Sequence, residues 1–172
     1  MDPPTTVFLT GTPGIGKTTV ITRFLERTSL RCTGFYTGEI RGTRGERRGF
    51  KVTSIPDGRE GVLASVDIVS GPRVGKYRVA VPDFEAIALP AMVPGDGDLL
   101  VIDEIGRMEL HSGRFREQVQ ECLARCPVLA TVKQGRTDSF TSKLVDRPGS
   151  ILLEVTRDNR DAMVNHLLDL FG

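Results

Sequence analysis

Apolar residues recur along the chain in two spacings, one typical of buried strands and the other of helices. Short apolar runs with the length of buried strands lie at residues 7–9, 99–102, 127–132 and 151–155. Apolar positions three and four residues apart predict helices over residues 19–27, 82–92, 115–123, 139–145 and 162–171. The last helix places Ala162 and His166 on its apolar face. Strands that alternate with helices predict an α/β fold with a central, mostly parallel sheet and helices on both faces.

Residues 32–81 carry strand signals without intervening helices. The runs 34–40 and 49–55, joined by the polar segment 41–48, predict a hairpin, and residues 62–68 and 76–81 also read as strands. We expect this strand-rich section to be an insertion at the edge of the sheet. No linker or internal repeat interrupts the chain, so residues 1–172 are predicted to form a single domain.

Composition and charge narrow the range of partners. The chain has 23 basic and 22 acidic residues, so its net charge of +1 gives no electrostatic reason to expect a nucleic-acid or membrane partner. The N-terminus has neither a basic region nor a long apolar stretch. We therefore expect a cytoplasmic protein without a membrane span. The oligomeric state is left open, with a monomer favoured.

A glycine-rich loop follows the first apolar run. Residues 11–18 fit the pattern G-x-x-x-x-G-K-[ST] between a strand and a helix, which is the context that a phosphate-binding loop requires. Its backbone amides and the positive end of the helix would surround phosphate oxygens. Lys17 is expected to reach the β and γ phosphates, and Thr18 to bind Mg²⁺. The plainer alternative is a glycine-rich turn before an ordinary helix. The predicted nucleotide-binding residues are Gly11, Thr12, Pro13, Gly14, Ile15, Gly16, Lys17, Thr18 and Thr19.

Two carboxylates, Asp103 and Glu104, end the apolar run at 99–102. Ligands of open α/β sheets bind at the carboxyl ends of the strands, so these side chains are expected to face the phosphate loop. Asp103 would hold the Mg²⁺ ion from the strand end, through a water molecule. Glu104 is the candidate that polarises the attacking water, a role that typically contributes about 10²-fold to 10⁴-fold. Its alternatives are an outer metal carboxylate or a surface residue.

Three further residues are weaker candidates. Arg107 follows the carboxylate pair and is our first choice for a positive charge at the γ phosphate, with a structural salt bridge as the alternative. Asn159 and Arg160 follow the last predicted strand and are candidates for contact with the base. Their alternative is a helix N-cap followed by solvated charge.

Five segments together resemble one family of small nucleoside-triphosphatases, which includes thermophile enzymes and a human cancer-related member. The segments are residues 11–19, 34–41, 84–90, 101–110 and 156–160. The most specific of them contains Asp-Glu-Ile-Gly-Arg-Met-Glu at 103–109. Family members commonly have Lys where this chain has Arg107. Arg can bind two oxygens at once where Lys acts as a point charge, so Arg107 would not contact phosphate in the way that a lysine does.

The resemblance implies a phosphate-loop α/β fold and Mg²⁺-dependent hydrolysis of ATP, GTP, CTP, UTP and TTP with little base discrimination. It places the nucleotide along the phosphate loop and along a second segment. The residues of that segment are Leu100, Val101, Ile102, Asp103, Glu104, Ile105, Gly106 and Arg107.

Three other functions compete with hydrolysis. A nucleotide or small-molecule kinase shares the phosphate loop, but it needs a mobile lid that bears arginine, and the one candidate lies between Arg136 and Arg147. A regulatory GTP switch would need an Asn-Lys-x-Asp sequence, which residues 156–160 do not contain. An RNA-binding adaptor could use the arginines of residues 41–48, although no aromatic residues are interleaved there.

Overall fold

A mixed sheet of nine strands forms the centre of the protein in a computed structural model that describes residues 3–135 and 138–172. The strands are β1 Thr6–Thr10, β2 Cys32–Arg41, β3 Arg47–Ser54, β4 Glu60–Ser65, β5 Arg73–Val74, β6 Tyr77–Val79, β7 Leu99–Ile105, β8 Val128–Val132 and β9 Ser150–Glu154. Their spatial order is β5-β6-β4-β3-β2-β7-β8-β1-β9. The described residues also form five α-helices, which are α1 Lys17–Arg27, α2 Val81–Ala91, α3 Gly113–Leu123, α4 Ser139–Val145 and α5 Arg160–Phe171.

Five neighbouring strands of the sheet run parallel to one another, and they are β2, β7, β8, β1 and β9. Beyond β2, the strands β3, β4, β6 and β5 extend the sheet in antiparallel pairs. Strand β2 opens the section that we expected to be an insertion, yet it pairs in parallel with β7. Only the strands from β3 to β6 therefore form the extension at the sheet edge. Because the parallel strands share one direction, their carboxyl ends meet at a single edge.

Helices cover both faces of the sheet. On one face, α2, α3 and α4 bury a cluster that includes Phe35, Phe84 and Phe115, whose rings meet edge to face. On the other face, α1 and α5 pack Phe24 and Leu167 against β1 and β7. The predicted α/β class, with a mostly parallel core and helices on both sides, is confirmed.

One local prediction was wrong, and one short element was not predicted. Helix α5 buries Met163, Val164 and Leu167, whereas Ala162 and His166 are exposed. The reason is the rotation of the helix about its axis, which turns the three buried residues toward α1 and the sheet. A 3₁₀ turn at Glu109–His111, which the apolar pattern did not indicate, follows β7. In the described ranges, no helix has both the length and the apolar character that a membrane span requires.

Candidate active site

The glycine-rich loop connects β1 to α1 at the carboxyl edge of the sheet. Helix α1 begins at Lys17, and Gly16 caps it with a φ of 114°, a left-handed conformation that favours glycine. The Lys17 ammonium donates a 2.8 Å hydrogen bond to the carbonyl of Gly11, so it folds back across the loop. A cation and the positive end of a helix therefore lie at the same place, which suits an anion.

Asp103 lies opposite the loop, near the carboxyl end of β7, and has only 3% of its surface exposed. One carboxylate oxygen, Oδ2, accepts a 2.9 Å hydrogen bond from the Thr18 hydroxyl, and Oδ1 accepts one of 2.7 Å from Thr131 on β8. Burial raises the pKa of Asp103, while the two hydroxyls and the charge of Lys17 oppose that rise. Thr18 and Asp103 thus bring two hard oxygen donors together, the type of ligand that Mg²⁺ prefers.

Glu104 is half-buried beside Asp103, and the peptide bond between the two is cis. Burial and the neighbouring Asp103 raise the pKa of Glu104, whereas Lys17 and Lys133 lower it. A methyl group at position 106 would lie 2.7 Å from Glu104 Oε1, so Gly106 leaves the space that this carboxylate occupies. A carboxylate with a raised pKa at the mouth of a phosphate site suits a general base.

These groups line one open cleft of about 520 Å³. The phosphate loop and α1 form one wall, β2 and β3 form the opposite wall, and the ends of β7 and β8 form the floor. The lining residues are Pro13, Gly14, Lys17, Thr18, Thr37, Gly38, Glu39, Arg47, Phe50, Asp103, Glu104 and Lys133. The fold therefore brings the phosphate loop, the Thr18 hydroxyl and the carboxylates of Asp103 and Glu104 together in one cavity.

A second cavity of about 250 Å³ adjoins this cleft and shares Thr37, Phe50, Glu104 and Lys133 with it. Arg107 and the fully buried Glu109 are among its other lining residues. Burial raises the pKa of Glu109 well above its usual range, and the carboxylate of Glu104 raises it further. Within the described residues, Glu109 Oε2 has no hydrogen-bond partner. Burial and the neighbouring carboxylates therefore favour the protonated form of Glu109.

Comparison with known proteins identifies the family. The sequence model of the family described as NTPase matches residues 6–168. The chain belongs to this family. Nucleoside-triphosphatase THEP1 of Thermotoga maritima is 40% identical over 168 residues, which cover 95% of this chain and 94% of the relative. The corresponding protein of Sulfolobus acidocaldarius is 38% identical over 172 residues, covering 98% and 94%.

Solved structures of the NTPase family agree with this assignment. The crystal structure of THEP1 from Aquifex aeolicus matches with a TM-score of 0.88 and 32% identity, covering 97% of this chain and 99% of that chain. The solution structure of a human cancer-related nucleoside triphosphatase matches with a TM-score of 0.80 and 34% identity, covering 96% of each chain. The family resemblance and the phosphate-loop fold that the sequence predicted are both confirmed.

Some candidates in this NTPase lie away from the cleft. Leu100, Val101 and Ile102 have no exposed surface, because they pack in the two core layers, so the part of β7 that reaches the cleft begins at Asp103. Ile105, Gly106 and Arg107 line the adjoining cavity instead. Arg107 is exposed there and is not among the residues that line the cleft. Arg136 lies outside the described residues.

The two candidates for base contact hold the structure around the phosphate loop. The Asn159 side chain accepts a 2.8 Å bond from the Thr156 amide and donates one of 2.8 Å to the Glu154 carbonyl, so both ends of its amide fasten the turn before α5. Arg160 donates a 3.2 Å bond to the carbonyl of Ile15. It also lines a pocket of about 240 Å³ with Gly16 and Thr19. Asn159 stands at the N-cap position of α5, the alternative that we had set against base contact, but its side chain bonds to the preceding turn and not to an amide of the helix.

Three polar residues of the site were not predicted from the sequence. Lys133 directly follows the buried strand β8, just as Asp103 follows the apolar run of β7. Because the carboxyl ends of parallel strands meet at one edge of the sheet, Lys133 could have been predicted in the same way as Asp103. Thr131 is a polar residue inside a fully buried strand, and such a residue needs a partner. Arg47 lay in the polar segment 41–48, which we had expected to join the two strands of a hairpin.

Proposed function

We propose that this member of the NTPase family hydrolyses nucleoside triphosphates to nucleoside diphosphates and phosphate, that the reaction requires Mg²⁺, and that several bases are accepted. The single observation that carries the proposal is the shared cleft, in which Lys17, Thr18, Asp103 and Glu104 face one another. The names of the relatives, which are nucleoside-triphosphatases, support the same reaction class.

The residues of the cleft have separate roles in this proposal. The loop amides and Lys17 bind the β and γ phosphates, and Lys17 exchanges the carbonyl of Gly11 for phosphate oxygens. Thr18 and Asp103 would hold Mg²⁺, which when bound neutralises charge on the β and γ phosphate oxygens. Thr131 fixes the orientation of Asp103 from behind.

Glu104 acts as the general base. A water oxygen attacks the γ phosphorus while the bond from that phosphorus to the bridging oxygen breaks, and the nucleoside diphosphate leaves with the bonding electrons. Glu104 takes the proton that the water loses. Its raised pKa makes it a better proton acceptor than an exposed glutamate, because base strength increases with pKa.

The pocket beside the start of α1 suits a nucleoside of any base. It is lined by Gly16, Thr19, Val20, Arg23, Arg160 and Asp161. None of these lining residues has an aromatic ring to stack on a base, Arg23 and Asp161 are paired with each other, and Arg160 bonds to the Ile15 carbonyl, so we expect weak discrimination among bases. Arg160 and Thr19 then contact the nucleoside end of the substrate rather than its phosphates.

Phosphate release tests this function directly. Purified protein is mixed with ATP, GTP, CTP or UTP without an acceptor, in Mg²⁺ and again in excess chelator. We expect release from several of the four, only with Mg²⁺, and about 10²-fold slower release by Lys17→Ala. Lys143→Ala, which changes an exposed lysine of α4, is the matched control. Binding of nucleotide without release would overturn hydrolysis, while release from one nucleotide alone would overturn broad base acceptance.

The remaining expectations stay predictions. They are a cytoplasmic location, a monomeric single domain and no nucleic-acid partner. One observation supports the last of them: three of the four arginines in residues 41–48 pair with acids, Arg41 and Arg47 with Glu39 and Arg48 with Asp67. These ion pairs reduce the positive charge that the hairpin presents to a phosphate backbone.

A further inference from the structure

Arg47 lines the wall of the cleft that faces the phosphate loop. It begins β3, and the lining of the same cleft contains Lys17, Thr18 and Glu104. Of the arginines among the described residues, it is the one that lines this cleft, whereas Arg107 lines the adjoining cavity. The positive charge that we had sought at position 107 is therefore available from a different element.

The guanidinium of Arg47 is held in place by two contacts that it can exchange. Its Nη2 lies 2.8 Å from Glu39 Oε1, and its central carbon lies 5.6 Å from the centre of the Phe50 ring. Glu39 and Phe50 both line the cleft, so the planar group rests against its wall. The side chain is still 47% exposed, which leaves it room to turn toward a ligand.

Glu39 does not depend on Arg47 alone. Arg41 forms a second ion pair with Glu39, and it is itself fixed by a 2.7 Å hydrogen bond to the carbonyl of Gly45. If Arg47 turns away, Glu39 keeps a cation beside it. The movement of Arg47 therefore leaves no unpaired carboxylate, which would otherwise oppose it.

The charge balance of the cleft favours such a movement when a triphosphate binds. The lining holds three carboxylates, those of Glu39, Asp103 and Glu104, against the cations Lys17, Lys133 and Arg47. A triphosphate adds several negative charges, and its terminal group carries the most. A guanidinium can bind two of its oxygens at once, which a lysine cannot.

We propose that Arg47 is a further catalytic residue, whose guanidinium leaves Glu39 to bind the γ-phosphate oxygens while Arg41 stays on Glu39. This inference rests on the proposed function, because it assigns the charge that stabilises γ-phosphate transfer to water. No proton or electron moves to or from Arg47. It contributes electrostatic stabilisation, and the Phe50 ring limits the directions in which its guanidinium can turn.

The test compares Arg47→Ala and Arg47→Lys with Arg48→Ala. Arg48 is the matched control, because it is the next residue on β3, has a similar exposure of 41%, and pairs with Asp67 and Glu46 outside the cleft lining. We expect kcat for phosphate release to fall about 10²-fold to 10³-fold in Arg47→Ala and to stay unchanged in Arg48→Ala. Arg47→Lys should recover only part of the loss.

Two readouts separate a catalytic role from a structural one. Affinity for the nucleoside triphosphate should fall in Arg47→Ala while affinity for the diphosphate does not, since only the former has a γ phosphate. Added guanidinium ion, at concentrations far below those that unfold proteins, should restore part of the turnover of Arg47→Ala and none in Arg47→Lys. The thermal midpoint should be the same as that of Arg48→Ala, because exposed ion pairs contribute little stability.

Equal turnover in Arg47→Ala and Arg48→Ala would overturn the proposal, and so would an equal loss of triphosphate and diphosphate affinity. A failure of the proposed function looks different. In that case the wild type itself releases no phosphate, and the ratio of triphosphate to diphosphate affinity still decides whether Arg47 binds the γ phosphate.

Discussion

Gly106→Ala tests whether the position of Glu104 controls turnover. The added methyl would lie 2.7 Å from Glu104 Oε1 and 3.1 Å from its Cγ and Cδ. Carbon and oxygen atoms approach no closer than about 3.3 Å in favourable contacts, so the carboxylate must retreat by about 0.6 Å. Because the atom that moves is the end of a flexible side chain, the fold can absorb the change.

We expect kcat to fall by about tenfold to 10²-fold, since a displacement of about 1 Å at a reacting group costs about 10²-fold. Affinity for the nucleoside triphosphate should hold, because Gly106 does not line the cleft of the phosphate loop. Phosphate release under saturating nucleotide gives kcat, and equilibrium binding gives the affinity.

Gly113→Ala is the control for this substitution. A methyl at position 113 would lie 3.6 Å from Arg116 Nη2, an ordinary contact, at the start of α3. That variant should match the wild type in turnover. If Gly106→Ala also turned over at the wild-type rate, the position of Glu104 would not limit the reaction, and its role as the base would have to be abandoned.

Two further predictions concern buried groups near the site. Burial, together with the carboxylates of Glu104 and Asp103, raises the pKa of Glu109. The native state therefore holds this proton at pH values where the unfolded chain has lost it. As a result, the free energy of unfolding falls as the pH rises above about 4.5. Glu109→Gln should therefore gain urea resistance over the wild type as the pH rises above about 4.5, and a difference that does not change with pH would refute this reasoning. Thr131→Val removes the 2.7 Å hydrogen bond to Asp103 Oδ1 and should raise the Mg²⁺ concentration for half-maximal turnover about tenfold or more. An unchanged Mg²⁺ titration would show that Thr131 does not orient the ion's ligand.

The sequence was sufficient to predict groups whose position follows from strand direction. Asp103 ends an apolar run, and the glycine-rich loop follows another, so a parallel sheet brings both to one edge whatever the details of packing. The hydrogen bond between Thr18 and Asp103 is the direct result of that geometry. The spacing of apolar residues likewise predicted which segments form helices and which form strands.

Groups that reach the cleft by long-range pairing could not be predicted in this way. Arg47 faces the phosphate loop only because β3 folds back on β2 and β2 pairs with β7, and neither register can be read from local spacing. Helix α5 shows a smaller version of this problem: its contacts with α1 decide that Val164, and not His166, is buried. Arg107 was placed by its closeness in sequence to Asp103, but the turn after β7 carries it to the adjoining cavity.

Glu104→Gln tests directly whether Glu104 accepts the proton of the attacking water. The amide keeps the size of the side chain but cannot act as that base. Nucleotide affinity and single-turnover phosphate release are measured on the same preparation, beside the wild type. We predict that the variant binds nucleoside triphosphate as the wild type does and releases phosphate about 10²-fold more slowly or worse. Release at the wild-type rate would show that Glu104 is not the base and that another residue accepts the proton.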